Sequence, residues 1–274
     1  MIYFLHIPKT AGSSLRQIIE ANYGPDELKV IGVHWTTWLR SEDVLKRIAG
    51  KPRLRAIHGH FSYGLHRDIG GEAIYVTFLR EPQQRVISGY FHLRRHSKNP
   101  LRKRVENMTL EEYLDSGLVL DVDNGMVRRI SGIMDSVGYG EVRREHLSMA
   151  LANLRRDFLF VGMLERFDAS IYLLGKTLQW RRRHYSKERQ GTNRSGYEPS
   201  ENAVNRLHEL NAFDEVLYEH VSRRLTQAIQ ESDFNARRFH FVNRLYNVSR
   251  APCRGARKAR RKLRAAQRKL FGGG

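Results

Sequence analysis

The chain has 274 residues, 41% of them hydrophobic, enough for one large buried core and too many for a disordered class. Lys and Arg number 48 against 29 Asp and Glu, a formal net charge of +19, so the expected partners are anionic: a phosphorylated ligand, a polyanion or an acidic membrane surface. No apolar run approaches the ~20 residues of a membrane span and the start, MIYFLHIPKT, has no basic leader, so the chain reads as soluble and cytoplasmic, without signal peptide or transmembrane segment.

Ile2 to His6 is a short apolar run of strand length. It enters a Pro-Lys-Thr-Ala-Gly-Ser-Ser loop, after which Leu15, Ile18, Ile19 and Tyr23 recur at helical spacing. Leu54 to Ile57 and Ala73 to Leu79 are further strands, and Val86, Tyr90 and Leu93 mark a helix after the second. Thr109-Leu-Glu-Glu112 fits a capping box at a helix start. Phe158 to Met163 reads as a buried strand and Phe167 to Leu178 as a helix. Arg181 to Pro199, broken by Gly191, Gly196 and Pro199, reads as a loop. Leu207, Leu210, Val216, Leu217, Val221 and Leu225 stripe a long helix. Alternating strands and helices predict an α/β domain with a mostly parallel central sheet flanked by helices.

Residues 1–245 are assigned to one catalytic domain and 246–274 to a basic tail. Between Arg250 and Gly274 stand ten Lys and Arg and no acidic residue, so about half of the excess charge belongs to the tail. The sole cysteine, Cys253, lies there and excludes an internal disulfide. Ala256, Ala259, Leu263, Ala266 and Leu270 fall on one stripe, which predicts a basic amphipathic helix from Arg254 to Phe271 that docks peripherally on an anionic membrane or polyanion. A disordered, solvated tail has the same charge pattern.

His6-Ile-Pro-Lys-Thr-Ala-Gly-Ser-Ser14 sits between a strand and a helix. Backbone N–H groups of such a loop, with a helix N-terminus behind them, cradle phosphate. Gly12 permits close approach, Lys9 adds a charge, and Thr10, Ser13 and Ser14 add hydroxyls. An ordinary capped turn has the same composition, and the G-x-x-x-x-G-K-[ST] pattern of nucleotide triphosphatases is absent. Phe78-Leu-Arg-Glu-Pro-Gln-Gln-Arg-Val-Ile-Ser-Gly-Tyr90 again joins a strand to a helix. Arg80 at the strand end and Ser88 on the helix suit a phosphate monoester, with Arg85 directed at the same crevice; a solvated basic helix face is the alternative.

In this order and spacing the two segments resemble the sulfotransferases that use 3'-phosphoadenosine-5'-phosphosulfate (PAPS), nearest the heparan sulfate 2-O-sulfotransferase group and its bacterial relatives. The resemblance spans residues 1 to about 230, with Phe160 to Phe167 and Asn211 to Tyr218 matching less specifically. It implies a P-loop-like, three-layer fold. It implies that Lys9, Thr10, Ala11, Gly12, Ser13 and Ser14 line the 5'-phosphosulfate site, that Arg80 and Ser88 hold the 3'-phosphate, and that PAP (3'-phosphoadenosine-5'-phosphate) is the product nucleotide.

Ile57-His58-Gly59-His60 follows the strand between the two motifs, where ligands of an α/β sheet gather. A neutral imidazole there suits a general base. A strand-end His is also a common structural hydrogen-bonding group, and a His pair can ligate zinc, but no third ligand stands at a convincing spacing, so no metal is expected. The resembling group carries His-Gly-His at this point. That implies His60 as catalytic base, His58 as a supporting group, and Lys9 as the cation opposite the leaving phosphate. Arg94 and Arg95, with Asn124 and Arg128 from a segment resembling the family's Asn-x-x-x-x-Arg, are the candidate acceptor contacts for a carbohydrate hydroxyl, with an acidic glycan suiting the basic surface. A solvated basic face is the alternative. Arg189 to Ser195 is expected to close over the nucleotide or to be a loop with no ligand role. The rival reading from another class is a non-catalytic polyanion-binding protein with degenerate motifs, with no specific nucleic acid expected.

Overall fold

Five short strands form one sheet in which every pairing among the described residues is parallel. The structure is a computed structural model and describes residues 1–31, 39–186 and 197–249. In chain order, β1 (Ile2–Leu5), α1 (Gly12–Asn22), β2 (Leu28–Ile31), α2 (Ser41–Ile48), β3 (Ala56–Gly59), α3 (Leu65–Ile69) and β4 (Ile74–Leu79) build most of the sheet. Helices α4 (Pro82–Arg95), α5 (Arg102–Val105), α6 (Leu110–Asp115), α7 (Gly125–Ser131) and α8 (Arg144–Asp157) follow, then β5 (Phe158–Met163), α9 (Phe167–Thr177), α10 (Glu201–Gln230) and α11 (Ala236–Ser249). The strand order is β2-β3-β1-β4-β5.

The central strands are apolar on both faces because helices cover both, as parallel sheets require. Tyr3, Leu5, Ile57, Tyr75 and Leu79 face a core shared with α7, α8 and α10. Phe4, Ala56, Val76 and Phe78 face α1 and α9. A third cluster joins α4 and α6 to the first half of α10 through Tyr90, Leu93, Tyr113 and Leu207. The expected α/β three-layer architecture is what the chain forms. Strand β2 and helices α2 and α8 carry no sharp boundary signal and were not anticipated.

Local chemistry sets several boundaries. Thr109 Oγ1 accepts from Glu112 N while Glu112 accepts from Thr109 N, completing the anticipated capping box of α6. Glu81 caps α4 by accepting from Gln83 N and Gln84 N, with Pro82 at the first helical position. Helix α10 breaks at Asn211, whose φ of −126° and ψ of 17° are not helical. That break exposes backbone groups, and Asn124 satisfies them. Its Oδ1 accepts from Phe213 N (2.9 Å) and Asp214 N (3.0 Å), and its N donates to Leu210 O (2.8 Å). In return the Asp214 carboxylate accepts from Met126 N (3.0 Å) and Val127 N (2.8 Å), capping α7. Two helices thus cap each other through buried side chains.

Arg85 does not point into the ligand crevice. It is 3% exposed and donates to Asp121 O (2.6 Å) and Asp214 Oδ2 (3.4 Å). Helix α11 runs across the expected boundary at residue 245. Its Asn243 accepts from Tyr185 N and its Asn247 donates to Tyr185 O, holding it to the body of the domain. Residues 189–195, Cys253 and the expected helix over residues 254–271 lie outside the described residues. No helix among the described residues is long and apolar enough to cross a membrane.

Asp214→Ala leaves Arg85 without its carboxylate and two helix-terminal N–H groups without an acceptor, and is expected to cost about 3–5 kcal/mol in urea unfolding. Asn124→Ala removes one cap and is expected to cost about 1–2 kcal/mol. The double variant is expected to lose less than the sum, because both serve one joint. Additive losses would show that the caps act independently.

Candidate functional site

Register brings the key segments to one edge of the sheet. Leu5 aligns with Gly59 on one side and Thr77 on the other, and Thr77 Oγ1 donates to Leu5 O at 2.8 Å. The residues that leave β1, β3 and β4 therefore emerge together, at the carboxyl edge where α/β sheets bind ligands.

The loop after β1 is wound tightly. Lys9 and Ala11 both adopt left-handed backbone (φ 71° and 66°), an arrangement that turns successive N–H groups toward one concavity. Thr10 is 1% exposed, and its Oγ1 donates to Ile7 O at 2.8 Å. Its hydroxyl closes the loop rather than facing a ligand, contrary to the expectation that it would be offered to a phosphate. Ala11 is the N-cap of α1 and, among the described residues, no side chain caps that helix; Ser14 N donates to Ala11 O at 3.0 Å, which leaves the amides of Gly12 and Ser13 at the loop. Ser13 is exposed and Ser14 half-buried beside them.

Arg80 joins the second motif to the first. Its Nη1 donates to Lys9 O at 3.3 Å, so the strand-end arginine of β4 touches the loop that follows β1. Burial holds its pKa below the ordinary value, with Glu165 and Glu81 acting in the opposite sense. Ser88 is half-buried on α4.

Beneath the loop lies a cluster of three imidazoles. The His6 ring is stacked on His58 (centroids 5.3 Å apart, 19° between planes) and tilted against His60 (4.4 Å, 46°). A Cβ on residue 12 would sit 1.9 Å from His6 Nε2, so only glycine there leaves room for that ring. Among the described residues, His6 Nε2, both ring nitrogens of His58 and His60 Nδ1 are buried without a hydrogen-bond partner. Burial lowers all three pKa values. His58 falls to about 4, with Arg16 adding to the effect. His60 falls to about 3, with Arg129 and His58 adding and Asp121 opposing, and His6 lies well below its ordinary value. All three are neutral at pH 7. His6 and the Asp121–Arg129 pair were not singled out from sequence. The pair is bidentate (Nε to Oδ1 2.8 Å, Nη2 to Oδ2 2.6 Å) and fully interior. Two acids closely followed by two arginines, Asp121, Asp123, Arg128 and Arg129, are the signal that marks it. Among the described residues no group of three or more His, Cys, Asp or Glu side chains is arranged to hold a metal ion.

The expected acceptor contacts do not converge on this site. Asn124 and Arg128 are 3% and 0% exposed. Asn124 caps α10, while Arg128 donates to Asp123 Oδ2 (2.5 Å) and to the carbonyls of Val137 and Gly138 (2.6 Å each). Their polar groups are spent inside the domain, which corrects the expectation that they meet a substrate. Arg94 donates to Glu106 O (3.1 Å) and Tyr90 Oη (2.9 Å), fastening α4 to the loop before α6. Arg95 is exposed and donates to Phe91 O at 3.0 Å. A cavity of about 290 Å³ is lined by the residues that follow His60 in the chain, among them Phe61, Ser62, Tyr63, Arg67 and Asp68, together with Asp135. Leu39, also in its wall, donates its N–H to His60 O at 3.0 Å.

Comparison with known proteins adds the following. The family model Sulfotransfer_2, described as "Sulfotransferase family", matches residues 1–235. An uncharacterized protein of Archaeoglobus fulgidus is 26% identical over 190 residues, which cover 65% of this chain and 73% of that one. Among solved structures, mouse sulfotransferase SULT7A1 complexed with PAP aligns with a TM-score of 0.41 at 15% identity, over 78% of this chain and 65% of the mouse chain. A sulfotransferase from Alicyclobacillus acidocaldarius aligns with a TM-score of 0.43 at 17% identity, over 84% of this chain and 96% of the other.

The imidazole cluster predicts acid lability. As pH falls through the ordinary histidine pKa of 6.5, the unfolded chain takes up protons that folded His58 refuses down to about 4 and His60 down to about 3. Stability is therefore complete above 6.5 and lost progressively below it. Asp214, pushed up to about 6 by burial, acts in the opposite sense, but with one proton against three. The Tm is expected to fall between pH 6.5 and 4.5, and His58→Gln is expected to flatten that slope. A Tm independent of pH across this window would contradict the burial of neutral imidazoles.

Proposed function

The chain belongs to the sulfotransferase family, and we propose that it moves a sulfuryl group from PAPS to a hydroxyl of a carbohydrate, with His60 as general base. One observation carries this reading: Arg80 of the second motif reaches the Lys9 carbonyl of the first at 3.3 Å, beside a neutral imidazole at the end of the neighbouring strand. Two sites suited to anions and a base then share one edge of the sheet.

The backbone amides between residues 9 and 13, the Lys9 ammonium and the hydroxyls of Ser13 and Ser14 hold the 5'-phosphosulfate. Arg80 and Ser88 hold the 3'-phosphate, which distinguishes the nucleotide from AMP. His60 accepts the proton of the acceptor hydroxyl as its oxygen bonds to sulfur. The bond from sulfur to the bridging phosphate oxygen breaks in line, and Lys9 stabilises the charge that collects on that oxygen. PAP leaves with the bond's electrons. The basicity of His60 in the protein alone, a pKa of about 3, is low for this task, but the negative charge of a bound donor raises it. His58, enclosed beneath the loop, supports the cluster. The acceptor is placed in the cavity lined by the residues that follow His60 in the chain, where Arg67, Asp68 and Asp135 offer donors and acceptors to hydroxyl groups. Arg95 remains a candidate for a longer, acidic glycan. No divalent metal has a role in this scheme.

Calorimetry is expected to show PAP binding much more tightly than AMP. Arg80→Ala is expected to erase the difference by roughly 10- to 100-fold, the worth of charge-assisted hydrogen bonds to one phosphate. Equal affinities in the unaltered protein would remove Arg80 and Ser88 from this role. Transfer from radiolabelled PAPS to a panel of desulfated glycans and p-nitrophenyl glycosides identifies the acceptor. On the best of them His60→Ala is expected to lower turnover by roughly 100-fold or more while PAP affinity stays within a few-fold. A fully active His60→Ala protein would assign the proton transfer elsewhere.

A further inference from the structure

His6 has no part in the scheme above, yet it stands at the centre of the site. Its backbone N–H donates to Gly59 O at 2.9 Å, fixing it between β1 and β3. One side of its ring is filled by the backbone of Gly12, so closely that a methyl group there would overlap Nε2, Cε1 and Cδ2. Among the described residues the ring also packs against those of His58 and His60. A general base is ordinarily oriented by a hydrogen bond to its second ring nitrogen. Among the described residues His60 Nδ1 is buried and makes none, so no hydrogen bond from that atom to them sets its ring plane. The ring that packs on it among the described residues is His6, at 4.4 Å.

We propose that His6 is the positioning residue of this site: it sets the ring of His60 by packing rather than by a hydrogen bond, and through Gly12 it ties that ring to the loop after β1. The inference rests on the reading of His60 as base and of that loop as the nucleotide cradle. It goes further in making loop and base one mechanical unit. A side chain or shift at residue 12 presses directly on the His6 ring, and that ring in turn lies against those of His58 and His60. Occupancy of the cradle is thereby communicated to the base before an acceptor arrives. The charged groups that face the cluster are Lys9 from the loop, Arg16 from α1, and Arg129 from α7 with its partner Asp121. Of these, Lys9 and Arg129 favour a neutral His6, which leaves packing as its contribution.

The test uses the full-length protein with isotope-labelled histidine, and PAP as the probe. Ring signals of His60 are assigned by their loss in His60→Gln. In the unaltered protein and in His6→Phe, which keeps a flat ring, His60 is expected to give one sharp set of signals that shifts when PAP is added. In His6→Ala, PAP affinity is expected to stay within about threefold, while the His60 signals broaden or split and their response to PAP is lost. Gly12→Ala, which drives a Cβ into the ring, is expected to reproduce the broadening and serves if His6→Ala does not fold. A His6→Ala protein with a single sharp His60 set and a normal PAP response overturns the proposal. So does a His6→Phe protein that behaves like His6→Ala. Failure of PAP to bind the unaltered protein defeats the donor reading instead, and the His60 line shapes of the free proteins still decide this one.

Discussion

Buried charge must be paired, and among the described residues two of the three interior Arg–Asp pairs of this domain meet at one joint. Arg85 from α4, Asp121 ahead of α7, Arg129 within α7 and Asp214 from α10 lie together in the interior, none more than 3% exposed. Taking such groups out of water is costly, and pairing offsets part of that cost. Arg85 Nε and Arg129 Nη1 stay buried without a partner among the described residues, while reciprocal caps satisfy the backbone: Asp214 serves the N-terminus of α7, and Asn124 serves the second half of α10 across the break at Asn211. The kink in α10 is thus a requirement of the joint, since an unbroken helix would offer Asn124 no free N–H groups.

The joint reaches the site through Arg129. Its guanidinium is held by Asp121 and its field lowers the pKa values of His6 and His60, while its carbonyl accepts from Tyr63 N at 2.8 Å, just past His60. A change in α7 is therefore felt at both the proposed base and the cavity beside it. The same coupling accounts for an apparent contradiction in a chain of net charge +19. Burial and the nearby Arg129 both weaken the proposed base, with Asp121 opposing, so an anionic donor in the neighbouring cradle would strengthen it.

Left-handed backbone at Lys9 and Ala11 costs roughly 1–2 kcal/mol per residue. The surrounding contacts hold it in place: Thr10 closes on Ile7, Arg80 on Lys9, and the His6 ring on Gly12. Strain kept in a loop by packing beneath it is preorganisation, because the amides already point where an anion would sit.

Much of this was legible in the residues alone. Strands β1, β4 and β5 are runs of apolar, β-branched and aromatic residues bounded by loops, and their periodicity needs no tertiary information. The helix starts at Pro82 and Leu110 are written in Glu81-Pro82 and Thr109-x-x-Glu112. The two motifs around Lys9 and Arg80 identified the family, because local spacing is what a loop joining a strand to a helix conserves in chemistry. What the residues alone did not decide was which polar side chains face inward. Arg94, Arg128, Asn124 and Arg85 share a composition with a solvated basic surface, and only the packing of α4, α7 and α10 turned three of them into interior partners and bound the fourth to Tyr90 and Glu106. His6 was hidden for the same reason. Its neighbours His58 and His60 are more than fifty positions away in the chain and become adjacent only when β1 and β3 pair in register. Sequence fixes what a segment can form by itself, whereas contact between segments depends on register and burial, which arise only when the sheet is assembled.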